Sequence, residues 1–178
     1  HAASMACPSL PTCGLGLVAT VYGLLIASAA MALPPLSTTL QPISSGASTG
    51  EKPQSKVWRH DDFWWSIVPD SSGTWLRRLD GDTWTSQLKL SNATTGTADV
   101  RAIGDVTHIL LYRGVSSELI SVEYSSGSDT YQAWSARPAP SAVTLDSGVE
   151  IATIDVDSQG RMWLASDAST TISVRYSD

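Results

Sequence analysis

Histidine, aspartate and serine are the residue types in this sequence that could perform acid–base, metal or nucleophilic chemistry. His60 comes directly before Asp61 and Asp62, a spacing that suits proton transfer or metal binding. The structural alternative is a strand end followed by an acidic turn, since aspartate is favoured in turns by its local backbone hydrogen bonds. His108 lies in an apolar run and is interpreted as a packed strand residue. The structural interpretation is favoured for both histidines.

Motifs of established reaction types are missing from the sequence. It contains no G-x-S-x-G turn, no P-loop, no G-x-G-x-x-G loop and no H-E-x-x-H helix. Paired carboxylates could serve a glycosidase, but each candidate lies in or beside a predicted turn. These candidates are Asp61, Asp62, Asp70, Asp80 and Asp82. We predict no catalytic residue, no cofactor and no metal site, and favour a binding protein over an enzyme.

Tryptophan is the residue type that most favours a binding function. The chain has seven Trp and five Tyr but one Phe. Five Trp are close together in sequence and form either a platform for a protein or sugar partner or an internal core. They are Trp58, Trp64, Trp65, Trp75 and Trp84. Because neighbouring residues of a strand face opposite sides, one of Trp64 and Trp65 is the best candidate for an exposed aromatic.

Charge divides the chain into two physical classes. The 178 residues include 11 Lys and Arg and 17 Asp and Glu, for a net charge of −6. This mild acidity, without a basic cluster, argues against a nucleic-acid partner. No charged residue precedes Glu51, so the first 50 residues differ in kind from the rest.

The uncharged N-terminal part is predicted to contain a membrane-directed helix. A leader at 1–13 precedes the apolar run 14–33, whose 20 residues match the thickness of a bilayer core. Its large apolar residues are Leu15, Leu17, Val18, Val21, Leu24, Leu25 and Ile26. The run is either a retained transmembrane anchor or a signal peptide with small-residue cleavage sites, although it lacks a basic flank. We favour the anchor.

A linker and an all-β domain are predicted to follow. Residues 34–56 are rich in Pro, Ser and Thr and indicate a linker. Residues 57–178 alternate short β-prone runs with Gly, Asp and Ser turns, which predicts an antiparallel meander. The predicted strands are Val57–His60, Phe63–Val68, Trp75–Leu79, Thr83–Leu90, Val100–Ile103, Thr107–Tyr112, Leu119–Tyr124, Thr130–Trp134, Val143–Leu145, Glu150–Val156, Met162–Ser166 and Thr171–Tyr176.

Three parts of this domain share a strand–turn–strand plan, beginning at Val57, Asp99 and Ile154. In the third part, Asp157-Ser-Gln-Gly-Arg-Met-Trp163 resembles the D-x-x-G-x-(Leu/Ile/Met)-W repeat of bacterial β-propellers. Asp70-Ser-Ser-Gly-Thr-Trp75 is similar to the Asp-box of sialidase-like propellers, with a spacing that departs by one residue. The resemblance implies propeller-like blades, about two and a half to three in number, over residues 57–178. Closed propellers need about four to eight blades.

The expected protein is a membrane-anchored, extracytoplasmic (periplasmic or extracellular) β domain. Its expected role is that of a non-catalytic structural or accessory subunit that binds other membrane or envelope proteins. The alternative is a secreted carbohydrate-binding module, or part of a sialidase-like carbohydrate-active propeller, if residues 14–33 are cleaved. An open set of blades has exposed sheet edges, which favours the subunit.

Overall fold

The protein was analysed as a computed structural model that describes residues 40–46 and 55–177. These residues lie within one unit, Thr39–Asp178. The regular structure of the described part is β-strand alone. The strands are β1 (Val57–His60), β2 (Phe63–Asp70), β3 (Gly73–Asp80), β4 (Thr83–Ser91), β5 (Thr97–Ile103), β6 (Val106–Tyr112), β7 (Ser117–Ser125), β8 (Thr130–Ala133), β9 (Ser141–Val143), β10 (Ala152–Val156), β11 (Met162–Ala168) and β12 (Thr171–Tyr176).

Every predicted strand is found, with most ends shifted by a few residues. One difference concerns Leu145, which follows β9 and is buried instead of extending that strand. Local turn chemistry explains the agreement elsewhere. Asp61 and Asp62 have φ values of 48° and 63°, as the tight turn between β1 and β2 requires. Gly160, at φ 80°, occupies the left-handed position in the turn between β10 and β11.

The strands form three antiparallel sheets that follow one another along the chain. The first sheet has the order β1-β2-β3-β4, and the third has the order β10-β11-β12. The second sheet has the order β5-β6-β7-β8, and β9 also pairs with β7. All-β antiparallel architecture is therefore confirmed, and the three parts that share a sequence plan correspond to the three sheets.

The second sheet lies between the other two and is covered on both faces. Ile109 and Leu111 of β6 face the first sheet in the first core, which includes Trp65 and Leu76. Leu110 of β6 and its neighbour Tyr112 face the third sheet in the second core. Alternate residues of β6 thus enter different cores, which explains its nearly continuous apolar sequence.

An aromatic cluster fixes the packing of the first sheet on the second. The Tyr131 hydroxyl accepts a hydrogen bond from the Trp58 indole N–H at 3.0 Å and lies 3.2 Å from the Thr107 hydroxyl. The Trp65 ring meets the Tyr131 ring edge-on, with centroids 4.9 Å apart. Since Tyr131 is only 2% exposed, its hydroxyl needs these partners to offset the loss of water. Burial also raises the pKa of Tyr131.

One buried carboxylate joins the first strands of all three sheets. Asp99 of β5 is 3% exposed. One of its oxygens accepts the Ser55 backbone N–H at 2.9 Å, just before β1. The other accepts the Ile154 backbone N–H at 2.8 Å and the Thr153 hydroxyl at 2.7 Å, both from β10. Asp99 is therefore a tertiary contact between sheets, held by donors that a buried carboxylate requires.

Part of the predicted linker contacts the first sheet. The Gln41 backbone N–H donates to the Asp82 carbonyl, and the Gly46 backbone N–H donates to the Pro69 carbonyl, each at 2.9 Å. The predicted helix at 14–33 lies outside the described residues. Within residues 40–46 and 55–177, the structure contains no helix of a length and apolarity that would span a membrane.

We expect Asp99→Asn to lower the free energy of unfolding by about 1–3 kcal/mol, because the amide nitrogen cannot accept the hydrogen bonds that a buried carboxylate oxygen does. The matched control is Asp155→Asn, which removes an equal charge from an exposed pair with Arg101 at 2.9 Å. That pair should contribute less than about 1 kcal/mol. Urea unfolding measures both variants. Equal losses for Asp99→Asn and Asp155→Asn would contradict this role for Asp99.

Candidate functional site

The five Trp residues predicted as a binding platform divide between the core and the surface. Trp58 and Trp65 are 9% and 0% exposed and belong to the first core. Trp64 is 47% exposed, as alternation along β2 predicts for one member of the Trp64–Trp65 pair. Trp75 and Trp84 are partly exposed. Binding by the buried pair would require the first core to open.

Trp64, Trp75 and Trp84 lie on one face, the outer face of the first sheet. Val68 pairs with Trp75, and Leu79 pairs with Trp84, which places these side chains on the side opposite Trp65. Residues 41–44 line a cleft of about 310 Å³ with Arg77 and Trp84 on this face. The chain's own N-terminal segment thus borders part of the Trp surface, while Trp64 is open to solvent.

The motif that resembles the propeller repeat forms a self-contained turn. Asp157 accepts hydrogen bonds from the Trp163 indole N–H at 2.9 Å, from the Arg161 side chain at 2.8 Å and from the backbone N–H of Gln159 at 2.8 Å. The Trp163 bond and those from Arg161 and Gln159 hold the pKa of Asp157 well below its usual range. Trp163 packs against Tyr176 of the same sheet at a ring distance of 5.0 Å. Trp163 therefore contacts Asp157 and Tyr176 within its own part of the chain, between Asp157 and the end of β12.

The motif similar to an Asp-box uses its aspartate in the same local way. Asp70 accepts hydrogen bonds from the Ser72 backbone N–H at 2.7 Å and from the Ser72 hydroxyl at 2.6 Å, and it pairs with Arg77. These bonds, led by the Ser72 hydroxyl, lower the pKa of Asp70. The Trp75 indole N–H donates to the Ser72 hydroxyl at 2.9 Å. Both motifs therefore tie a turn aspartate to a nearby tryptophan.

The side chains around His60 form hydrogen bonds and ring contacts that join the first sheet to the second. His60 ends β1, and its Nε2 lies 3.3 Å from an Asp105 oxygen. Asp61 in the following turn accepts the Tyr124 hydroxyl at 2.7 Å. Burial, followed by the Asp61 bond, raises the pKa of Tyr124. His60 also packs edge-on against the Tyr124 ring, with centroids 4.7 Å apart. These contacts, which sequence reasoning missed, join the hairpin ends of the first and second sheets.

Within residues 40–46 and 55–177, the structure contains no group of three or more His, Cys, Asp or Glu residues that could bind a metal ion. Asp80 is occupied by the Arg78 guanidinium at 2.7 Å and by the Thr85 hydroxyl. Asp82 accepts the hydroxyl of its neighbour Thr83 at 3.0 Å. Asp80 and Asp82 therefore stabilise their own turn and the strands beside it.

A cleft of about 280 Å³ lies between the second and third sheets. Its polar lining includes His108 of β6, Arg137 after β8 and Arg175 of β12. Trp134 and Tyr176 are its aromatic lining residues, and the Tyr176 ring itself packs on Trp163. The apolar part of the lining is Leu119, Met162 and Leu164, which continues the second core towards solvent. Sequence reasoning missed this site, because its residues come from segments far apart in the chain.

A short hydrogen-bond network organises the polar side of this cleft. An Arg137 N–H donates to the Ser121 hydroxyl, and that hydroxyl lies 2.8 Å from His108 Nδ1. The same Arg137 nitrogen is 3.4 Å from His108 Nδ1. The Arg137 guanidinium beside the ring favours the neutral imidazole, whose Nδ1 can accept a hydrogen bond from the Ser121 hydroxyl. Burial, followed by the charge of Arg137, lowers the pKa of His108.

The outer face of the third sheet is an exposed apolar surface. Ile172, Val174 and Tyr176 of β12 are 67%, 59% and 58% exposed. Val174 pairs with Ala165, and Tyr176 pairs with Trp163, which extends the apolar surface onto β11. Three large apolar side chains in a row on one strand form a contiguous patch, and such patches characterise interaction sites.

We expect the protein to lose stability as the pH falls from about 7 to about 5, with His108 as one cause. The pKa of His108 is lowered in the folded state, so the unfolded chain takes up the proton at a higher pH. Proton uptake therefore favours the unfolded state as the pH falls, and the free energy of unfolding decreases. His108→Gln should reduce this loss while leaving carboxylate titrations unchanged. Thermal unfolding across this pH range measures the difference. An identical pH dependence in the two proteins would contradict the expectation.

Comparisons with known proteins identified no similar protein. No protein-family model, no curated protein and no solved structure matches the chain. The resemblance of the Asp157 and Asp70 turns to propeller motifs therefore stays a prediction.

Proposed function

We propose that this protein is a non-catalytic subunit, anchored in a membrane by residues 14–33, whose extracytoplasmic β domain binds another membrane or envelope protein. The observation that carries the proposal is the outer face of the third sheet. Burying an exposed Val, Ile or Tyr side chain there would contribute roughly 1–2 kcal/mol each, after allowance for the area already covered. Ile172, Val174 and Tyr176 together supply enough apolar area for the centre of a small interface.

The open edge of β12 supports a partner that supplies a β-strand. Among the described strands, β12 pairs only with β11. The third sheet has three strands where the first has four, which leaves a position beside β12. An open edge offers backbone N–H and carbonyl groups to another chain. We therefore assign the partner an extended strand whose alternate apolar residues lie against Val174 and its neighbours.

A propeller-like arrangement is the finer architecture that we propose for the three sheets. Support comes from their order in the chain, since each packs through its face on the next. In such a stack, the outer faces of the first and third sheets are the surfaces that further sheets would cover. A partner that covers the third sheet would therefore extend the packing already present between the sheets.

A photo-crosslinking residue at position 174 should give a discrete adduct with one membrane or envelope protein, identified by mass spectrometry. The same residue at the exposed position 132 of β8 is the control and should give no such adduct. Val174→Arg should reduce recovery of that protein in mild detergent by about tenfold or more, because charge is excluded from an apolar interface.

Ile103→Arg is the matched substitution, since Ile103 is also an exposed apolar strand residue, at 42%. It should leave recovery unchanged. Circular dichroism checks that both variants fold. Equal crosslinking at positions 132 and 174, or recovery of a monomer alone from native membranes, would refute the subunit proposal.

Carbohydrate binding is the second candidate, favoured by the three Trp residues on the outer face of the first sheet. Trp64 is the most exposed of them, at 47%, and an open indole can stack on a sugar ring. On this proposal the protein is a secreted module, or part of a sialidase-like enzyme. Binding of neutral oligosaccharides on a glycan array that disappears in Trp64→Ala would support it, and a blank array would refute it.

The fate of residues 14–33 separates the two proposals. We expect the native protein to retain this segment and to require detergent, because an uncharged run of this length is stable in a bilayer. The intact mass and the partition between membrane and soluble fractions measure this. A soluble protein whose mass begins after this segment would overturn the anchor and favour the secreted module.

A further inference from the structure

We propose that the cleft between the second and third sheets binds a small carboxylate ligand with a ring-shaped skeleton, and that Arg137 holds the carboxylate. The cleft shares Tyr176 with the outer face of the third sheet, but Arg137 and Trp134 lie outside that face, so the proposal does not depend on the partner protein. It assigns a ligand to a cavity to which the Asp157–Trp163 motif contributes only Gly160 and Met162.

The charge of Arg137 has no balancing charge in the described part of the chain. Arg137 bonds to Ser121 and His108, which are both neutral, and no carboxylate of residues 40–46 or 55–177 pairs with it. Its Nε is buried and has no hydrogen-bond partner among the described residues. A partly buried guanidinium charge without a nearby anion is costly, and an anion in the cleft would balance that charge.

The composition of the cleft selects for an anion. The protein carries a net charge of −6, yet none of the described residues that line the cleft is an aspartate or glutamate. The second cation, Arg175, already pairs with Asp146 at 3.1 Å and donates to the Thr144 carbonyl at 2.6 Å. Within residues 40–46 and 55–177, one cation of the cleft is therefore unbalanced. A singly charged carboxylate matches it better than a doubly charged phosphate, and the planar guanidinium fork suits carboxylate geometry.

The remaining walls select the ligand's skeleton. The Arg137 guanidinium lies 5.9 Å from the Trp134 ring centroid, which orients it beside an aromatic surface. Leu119 and Met162 are part of the apolar lining. A ring with an apolar face can contact these residues while its carboxylate meets Arg137. The volume of about 280 Å³ is near the lower limit of small-ligand sites, which restricts the ligand to one or two rings.

The test uses two ring carboxylates, benzoate and glucuronate, with benzyl alcohol and glucose as their uncharged counterparts. Titrations of the purified protein are followed by NMR shifts of the Trp134 indole and the His108 ring. We expect saturable binding of at least one carboxylate, with an affinity about tenfold or more above that of its uncharged counterpart. Bound carboxylate should also raise the pKa of His108, since it offsets the charge of Arg137.

Arg137→Gln should weaken carboxylate binding by about tenfold or more, because it removes a charged hydrogen-bond donor. Arg101→Gln is the matched control, since Arg101 pairs with Asp155 on the surface and does not line the cleft. If Arg137→Gln fails to fold, Trp134→Leu takes its place and should weaken ring carboxylates while leaving acetate unchanged.

Three results would overturn the proposal. The first is no saturable binding of either carboxylate at millimolar concentrations. The second is binding that Arg137→Gln and Arg101→Gln reduce equally, which would show a general charge effect. The third is preferential binding of inorganic phosphate over both carboxylates, which would assign the cleft to a different anion. Binding at the cleft with failed crosslinking at position 174 would uphold this site and refute the partner proposal separately.

Discussion

The arrangement of the three sheets depends on the buried carboxylate of Asp99. Each sheet buries apolar area against the next, but apolar packing is non-directional and tolerates sliding. The bonds from Ser55, Thr153 and Ile154 are directional, and they fix the first strands of the first and third sheets to β5 of the second. Every donor of this set is a backbone N–H or a hydroxyl, so the carboxylate is held without a cation.

The second sheet lies between the other two because its strands carry apolar residues on both faces. Leu110 and Leu111 of β6 are neighbours in sequence, yet they enter different cores. The first and third sheets each keep one outer face, and the character of the two faces differs. The first carries indoles bordered by residues 41–44, and the third carries the exposed apolar side chains of β12. Both proposed interaction surfaces therefore follow from which strands have one covered face and which have two.

Sequence reasoning predicted the strands well because the information is local. Turn residues such as Asp61 and Gly160 mark hairpins, and β-prone runs lie between them. Tertiary contacts left no such signal. Asp99 meets donors 44 and 55 residues away, and in sequence it is simply an aspartate near the start of a strand. Alternation predicted that one of the Trp64–Trp65 pair is exposed, but the choice between them depends on where the second sheet packs. Arg137, in a proline-containing loop, gave no signal at all.

The contact between Ser55 and Asp99 also determines how the domain would bear a mechanical load. Tension on the chain before β1 reaches Ser55, whose N–H is bonded to the carboxylate that also holds β10. Upstream, the bonds of Gln41 and Gly46 attach the chain to the turn before β4 and to β2 of the first sheet. A pull from the N-terminal side is thus distributed over several bonds and more than one sheet, instead of unzipping β1 from β2. Such a connection suits a domain that is tethered through its N-terminal segment and must stay folded while its tether moves.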